Sequence, residues 1–168
     1  MNKLRSLSVI LTALISACTA EHHTAIGPSK DSSTAGQRLF KLHNDARRDG
    51  LPCGTGEYSS KPLAWNERLA EAAFRHAADM AENKFIRHRG SDGSSSKKRI
   101  SDSGFAWSKY GENVAYGHRG PEVIVAKWLS LTQHCQNIMD PDYTAMGAAM
   151  VDGYWTAVYA KPRLPVIN

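Results

Sequence analysis

Two different hydrophobic periods occur in this chain, and their order limits the folds open to it. Leu69, Ala73, His76 and Met80 recur at helical spacing, and Ala72, Ala77 and Phe74 widen the stripe. Toward the C-terminus the pattern changes to two short apolar runs, 145–151 and 154–160, parted by Asp152-Gly153. That dipeptide between two runs rich in small, aromatic and β-branched residues is a hairpin signal. Helices come first and paired strands last, which predicts an α+β chain.

The other elements fit around these two. A first helix is expected over 34–48, with Leu39, Leu42, His43 and Ala46 facing inward and Gly50 as its stop. Asn66 can cap the second helix, Glu67 suits its positive end, and the helix should finish near Lys84. Ser94 or Ser95 can cap a short helix through Ile100. An extended stretch is expected over 113–116, and Pro121 opens a third helix that is apolar nearly all round, through Trp128 and Leu131. The order is helix, helix, strand, helix, strand, strand. A small antiparallel sheet with helices on both faces accommodates it.

The first 18 residues read as an address rather than as structure. Lys3 and Arg5 precede an apolar stretch, 8–15, that is too short to span a bilayer. It ends at Ile15-Ser16-Ala17-Cys18, which resembles a bacterial lipoprotein processing site; an ordinary cleaved signal is the alternative. Lipidation of Cys18, followed by Thr19 rather than Asp, implies an exported protein anchored in an outer membrane. Residues 19–36 are polar and rich in Ser, Thr and Gly, and read as a tether. One compact domain over 37–161 and a tail over 162–168 complete the chain.

With Cys18 set aside, Cys53 and Cys135 remain, an even count in an exported protein. A disulfide between them is expected; the alternative is a catalytic thiol at Cys135, beside His134. The net charge of +5 is modest, and no aromatic interleaving of the basic residues points to nucleic acid. The Lys97-Lys98-Arg99 cluster reads as a solvated helix face; contact with acidic lipid or cell-wall polymer is the alternative. No Gly-x-Ser-x-Gly elbow and no phosphate-binding glycine loop occurs, which sets aside the common serine hydrolases and nucleotide enzymes.

Three motifs carry a resemblance. They are Phe85-Ile86-Arg87-His88-Arg89-Gly90-Ser91-Asp92-Gly93-Ser94, Gly111-Glu112-Asn113, and His134-Cys135-Gln136-Asn137-Ile138-Met139. Together they resemble the CAP superfamily of cysteine-rich secretory, antigen 5 and pathogenesis-related proteins, in its bacterial SCP-like branch. The resemblance implies an α-β-α sandwich in which His88, Glu112 and His134 face one solvent cavity. Two imidazoles and a carboxylate suit a divalent ion, Zn²⁺ first; a polar network without metal is the alternative. Eukaryotic members add a second Glu three residues after the tryptophan of the third helix, where this chain has Leu131. Three functions follow as expectations: a module binding a lipid, peptide or cell-wall ligand or a metal, a metal-assisted hydrolase on the same residues, and an adhesion scaffold. His43 and His76 lie on buried stripes and read as structural.

Overall fold

The computed structural model describes residues 30–56 and 58–164. The leader, the lipidation candidate Cys18, most of the expected tether and the end of the tail lie outside them.

Helix α1 (Lys30–Asp49) begins earlier than the sequence suggests, so residues 30–36 belong to it and not to a tether. A Cβ on Gly36 would overlap the Ala148 carbonyl, so this glycine lets α1 lie close on the sheet. Strand β1 (Ala64–Trp65) is only two residues long, and no periodicity could announce it. Helix α2 (Glu67–Asn83) starts as expected, with the Asn66 side chain accepting from the Arg68 and Leu69 amides. It stops at Lys84 in the left-handed region. Helix α3 (Ser96–Asp102) is capped by Ser95. Strand β2 (Trp107–Tyr116) takes in the residues expected only to lead into it.

The expected third helix is two. Helix α4 (Pro121–Leu129) ends where the Ser130 hydroxyl donates to the Lys127 carbonyl (2.8 Å), and Leu131 is extended. Helix α5 (Thr132–Met139) follows. Strands β3 (Ala145–Val151) and β4 (Tyr154–Pro162) form the hairpin, with Asp152 and Gly153 both at positive φ as a two-residue turn of this kind requires.

The sheet order is β1-β3-β4-β2, with β2 at one edge. Pairing is antiparallel except between β1 and β3, so the sheet is mixed, not purely antiparallel. Side chains alternate across it. Met146, Ala148, Ala157 and Tyr159 pack with Leu39, Ile124, Trp128 and Ile138 from α1, α4 and α5. Ala145, Ala149, Val158 and Ala160 pack with Leu69, Ala73 and Ile100 from α2 and α3. The α-β-α sandwich is thereby established. A Cβ on Gly147 would overlap the backbone of Leu69 and Ala70, which shows how tightly α2 sits on β3. Cys53 and Cys135 form the disulfide, tying the loop after α1 to α5 across 82 residues and leaving no free thiol beside His134.

Candidate functional site at the sheet edge

The Gly-Glu-Asn motif lies in β2, and each of its residues has a separate task. Glu112 pairs with Val158 and so faces the α2/α3 layer, whereas Asn113 pairs with Ala157 and faces the α1/α4/α5 layer. Gly111 lies beneath Tyr143: a Cβ would come within 2.6 Å of the tyrosine hydroxyl and 3.1 Å of Asn137 Oδ1. Because β2 is an edge strand, groups from both layers can meet around it.

On the α2/α3 side, Glu112 is a buried carboxylate whose oxygens are both engaged. Oε2 accepts from Arg99 Nη2 at 2.8 Å. Oε1 is 2.9 Å from His88 Nδ1 and 4.0 Å from His76 Nε2. The Arg99 guanidinium also donates to the His88 carbonyl (2.9 Å) and the Ser94 carbonyl (3.1 Å), so it holds the His88 loop and the carboxylate together. Arg99 is 6% exposed and so does not belong to the solvated face expected over 97–99, whereas Lys97 and Lys98 are exposed as expected. Nothing in the sequence separates Arg99 from its neighbours. Only the pairing of a buried carboxylate demands it. His76 is fully buried, as expected, and Nε2 also lies 2.8 Å from the Arg87 carbonyl. The His88 side chain, by contrast, is 59% exposed.

On the other side, Asn113 Nδ2 donates to the His134 carbonyl (3.0 Å) and Asn137 Nδ2 to the Glu112 carbonyl (3.3 Å). These bonds dock α5 on the strand that carries Glu112. Asn137 therefore fixes a helix. His134 is half-buried. Leu131 sits at the α4–α5 break and is 43% exposed. The structure thus sets His88 on Glu112 directly and brings His134 to the same strand through Asn113 and Asn137. The cavities outlined by Tyr58 (about 460 Å³), by Asp79 and Asp92 (about 300 Å³) and by Trp107 (about 480 Å³) are not lined by His88, Glu112 or His134.

The imidazoles are tuned in opposite directions. The hydrogen bond to Glu112 raises the pKa of His88. Burial, then the charges of His88 and Lys127, lower that of His134. His43, bonded to the Leu39 carbonyl and the Tyr159 hydroxyl (both 2.7 Å), is lowered by burial to about 4. A histidine lowered on folding stabilises the protein fully above its unfolded pKa near 6.5, and that stability is lost as pH falls toward the folded value. His43 alone is expected to remove about 3 kcal/mol of unfolding free energy between pH 6.5 and 4. His134 and His76 act in the same direction; His88, raised, stabilises at low pH and loses that contribution as pH rises past 6.5. Urea titrations at stepped pH should show a flatter acid limb in His43→Gln than in the native chain; equal slopes would refute the assignment.

Among the described residues no three His, Cys, Asp or Glu side chains come together as a metal-holding group. Glu112 is unsuited to direct ligation, because Arg99 already neutralises its charge and both oxygens are bonded. The imidazoles of His88 and His134 are the candidate donors that remain. Among the described residues His88 Nε2 has no hydrogen-bond partner, and Glu112 behind Nδ1 is the carboxylate partner that metal-bound histidines commonly have.

A three-layer domain with a Gly-Glu-Asn edge strand, a buried ion-paired carboxylate and an exposed imidazole above it is the class of protein that fold and site define. The family model "CAP: Cysteine-rich secretory protein family" matches residues 40–159, and the chain belongs to that family. An uncharacterized membrane protein of Bacillus subtilis is 31% identical over 99 residues, 59% of this chain and 29% of that protein. A second uncharacterized protein of the same organism is 27% identical over 149 residues, 86% of this chain and 54% of that one. The chain therefore spans about a third to half of these relatives. An extracellular SCP-domain protein of Bacillus anthracis superposes with a TM-score of 0.68 at 24% identity, covering 81% of this chain and 45% of that one. An outer surface protein of Borrelia burgdorferi gives 0.66 at 19%, covering 82% and 100%.

Proposed function

We propose that this protein is an exported bacterial CAP domain, held at the cell envelope through lipid on Cys18, that binds a ligand with His88 and His134 at the sheet edge and does not turn it over. The observation that carries this reading is the Arg99–Glu112–His88 chain: a buried, neutralised carboxylate aims an exposed imidazole at solvent. A carboxylate bonded at both oxygens is a poor general base, which argues against the hydrolase. Leu131 stands where a second carboxylate would be, and removes another candidate base. Ile86, Tyr116 and Leu131 are exposed apolar side chains within four residues of His88, Glu112 and His134 respectively, and favour a lipid or peptide ligand with an apolar part. Export is supported by the leader and by the extracellular and outer-surface character of the two structural relatives.

A divalent ion is one ligand the pair can take. His88 and His134 would hold it, Glu112 would stand behind His88, and the ion would supply Lewis acidity. Calorimetric titration of the full chain with Zn²⁺ is expected to show one site, lost in His88→Ala and in His134→Ala. Glu112→Gln should weaken it by about 10–100-fold. Unchanged Zn²⁺ binding in the double histidine variant would show that the edge is a scaffold. The anchor is tested apart: Cys18→Ser should leave the membrane fraction, and continued sedimentation with membranes would remove lipid from the proposal.

A further inference from the structure

Consecutive residues of a helix point about 100° apart, and the three cations of α3 accordingly go three ways. Arg99 turns inward to Glu112, and Lys98 pairs with Asp102 at 2.8 Å. Lys97 lies over the Trp107 indole, 5.6 Å from its centre. Lys97 and Ser101, one turn apart, line a cavity of about 480 Å³ together with Phe105, Trp107 and Arg163. No acidic residue lines it. The Arg68 guanidinium borders it, donating to the Gly104 carbonyl at 2.6 Å. Among the described residues neither Lys97 nor Arg163 is in an ion pair. The aspartates of this region, Asp79, Asp92 and Asp102, line a different cavity.

We propose that this cavity binds an acidic saccharide, with the sugar ring against Trp107 and its carboxylate or phosphate on Lys97 and Arg163. The charge selects an anion, because two cations with no lining carboxylate leave an unbalanced positive field. The half-buried indole beside Phe105 selects a ring: as Lys97 leaves the indole for the anion, the apolar face it covered is offered to the C–H face of a sugar, which a bare inorganic anion lacks. Ser101 Oγ accepts the indole N–H at 3.1 Å, so its own proton is left to donate to a ring hydroxyl. The volume lies within the ~300–1,000 Å³ typical of small-ligand sites. The site stands apart from His88 and His134 and does not depend on the function proposed for them.

The test titrates the full chain with tetragalacturonate, glucose 6-phosphate, maltotetraose and inorganic phosphate, followed by calorimetry and by the Trp107 indole N–H resonance. One or both acidic sugars should bind at one site and shift that resonance, and which of them does so identifies the anion as carboxylate or phosphate. Maltotetraose and inorganic phosphate should bind at least about tenfold more weakly. Lys97→Gln with Arg163→Gln, two exposed positions whose loss leaves the core intact, should weaken the acidic sugar by about tenfold, and His88→Ala should not. Equal affinity for inorganic phosphate, binding unweakened in the double charge variant, or no saturable binding of either acidic sugar overturns the proposal.

Discussion

Arg99→Met is expected to lower the unfolding free energy by about 3–5 kcal/mol, one of the two largest single effects in the molecule. The ion pair it breaks is dry: the Arg99 side chain is 6% and the Glu112 side chain 2% exposed. Removing the cation leaves a buried carboxylate with only imidazole partners, and the His88 and Ser94 carbonyls lose their donor as well. The loss should therefore exceed that of a surface pair such as Arg75–Glu71, for which ~0–1 kcal/mol is usual. The double variant Arg99→Met/Glu112→Leu removes both charges and should recover most of the stability, because an apolar pair of similar volume carries no desolvation cost. Urea unfolding of the two single variants and the double variant measures the coupling. A double variant no more stable than Arg99→Met would mean that packing, and not charge pairing, is what Arg99 provides. The same series separates stability from function, since Glu112→Leu should also weaken the Zn²⁺ affinity proposed for the edge by about 10–100-fold.

Replacing Cys53 and Cys135 together by Ala should cost a similar amount through a different mechanism. Closing an 82-residue loop removes chain entropy from the unfolded state, worth about 4.5 kcal/mol in the loop-entropy model and about 2–5 kcal/mol in practice. For a domain of this size that is a fall in Tm of roughly 10–20 °C. The effect should be local in the native state as well. Both cysteines are buried, and Cys135 immediately follows His134, so the bond fixes α5 at the residue beside the proposed ligand. Calorimetric scans of oxidised, reduced and doubly substituted chains measure it. Indistinguishable Tm values for the three would show that the bridge is not a stability element.

The start of α2, the hairpin and the cysteine pair were legible because each has a local physical signature. Asn66 caps α2, Asp152-Gly153 supplies two positive φ values, and the two cysteines left once Cys18 is assigned to an expected leader suggest a bridge. His43 and His76 were readable as buried from their place on apolar stripes. The misreadings share a cause. Gly36 fell in both the expected tether and the expected first helix; a helix–sheet contact determines its identity, and that contact involves residue 148. Leu131 fitted an unbroken apolar helix; the chain instead breaks there and turns into α5, which bonds to β2.

The candidate site divides in the same way. Its motif residues were visible as motifs, and the family they indicate is the one to which the chain belongs. That Glu112 and Asn113 serve opposite layers is a consequence of strand alternation at a sheet edge, and the edge exists only once β2 has paired with β4 alone. The amino-acid sequence by itself determined which segments become helix or strand and which side chains are available for chemistry, because those depend on neighbours a few residues away. Tertiary structure alone decided that Arg99 would be buried against Glu112, that His88 would stay in water, and that Lys97 would turn to an aromatic cavity. Each of those outcomes depends on charges and surfaces brought together from distant parts of the chain, where burial multiplies electrostatic energies that no local pattern encodes.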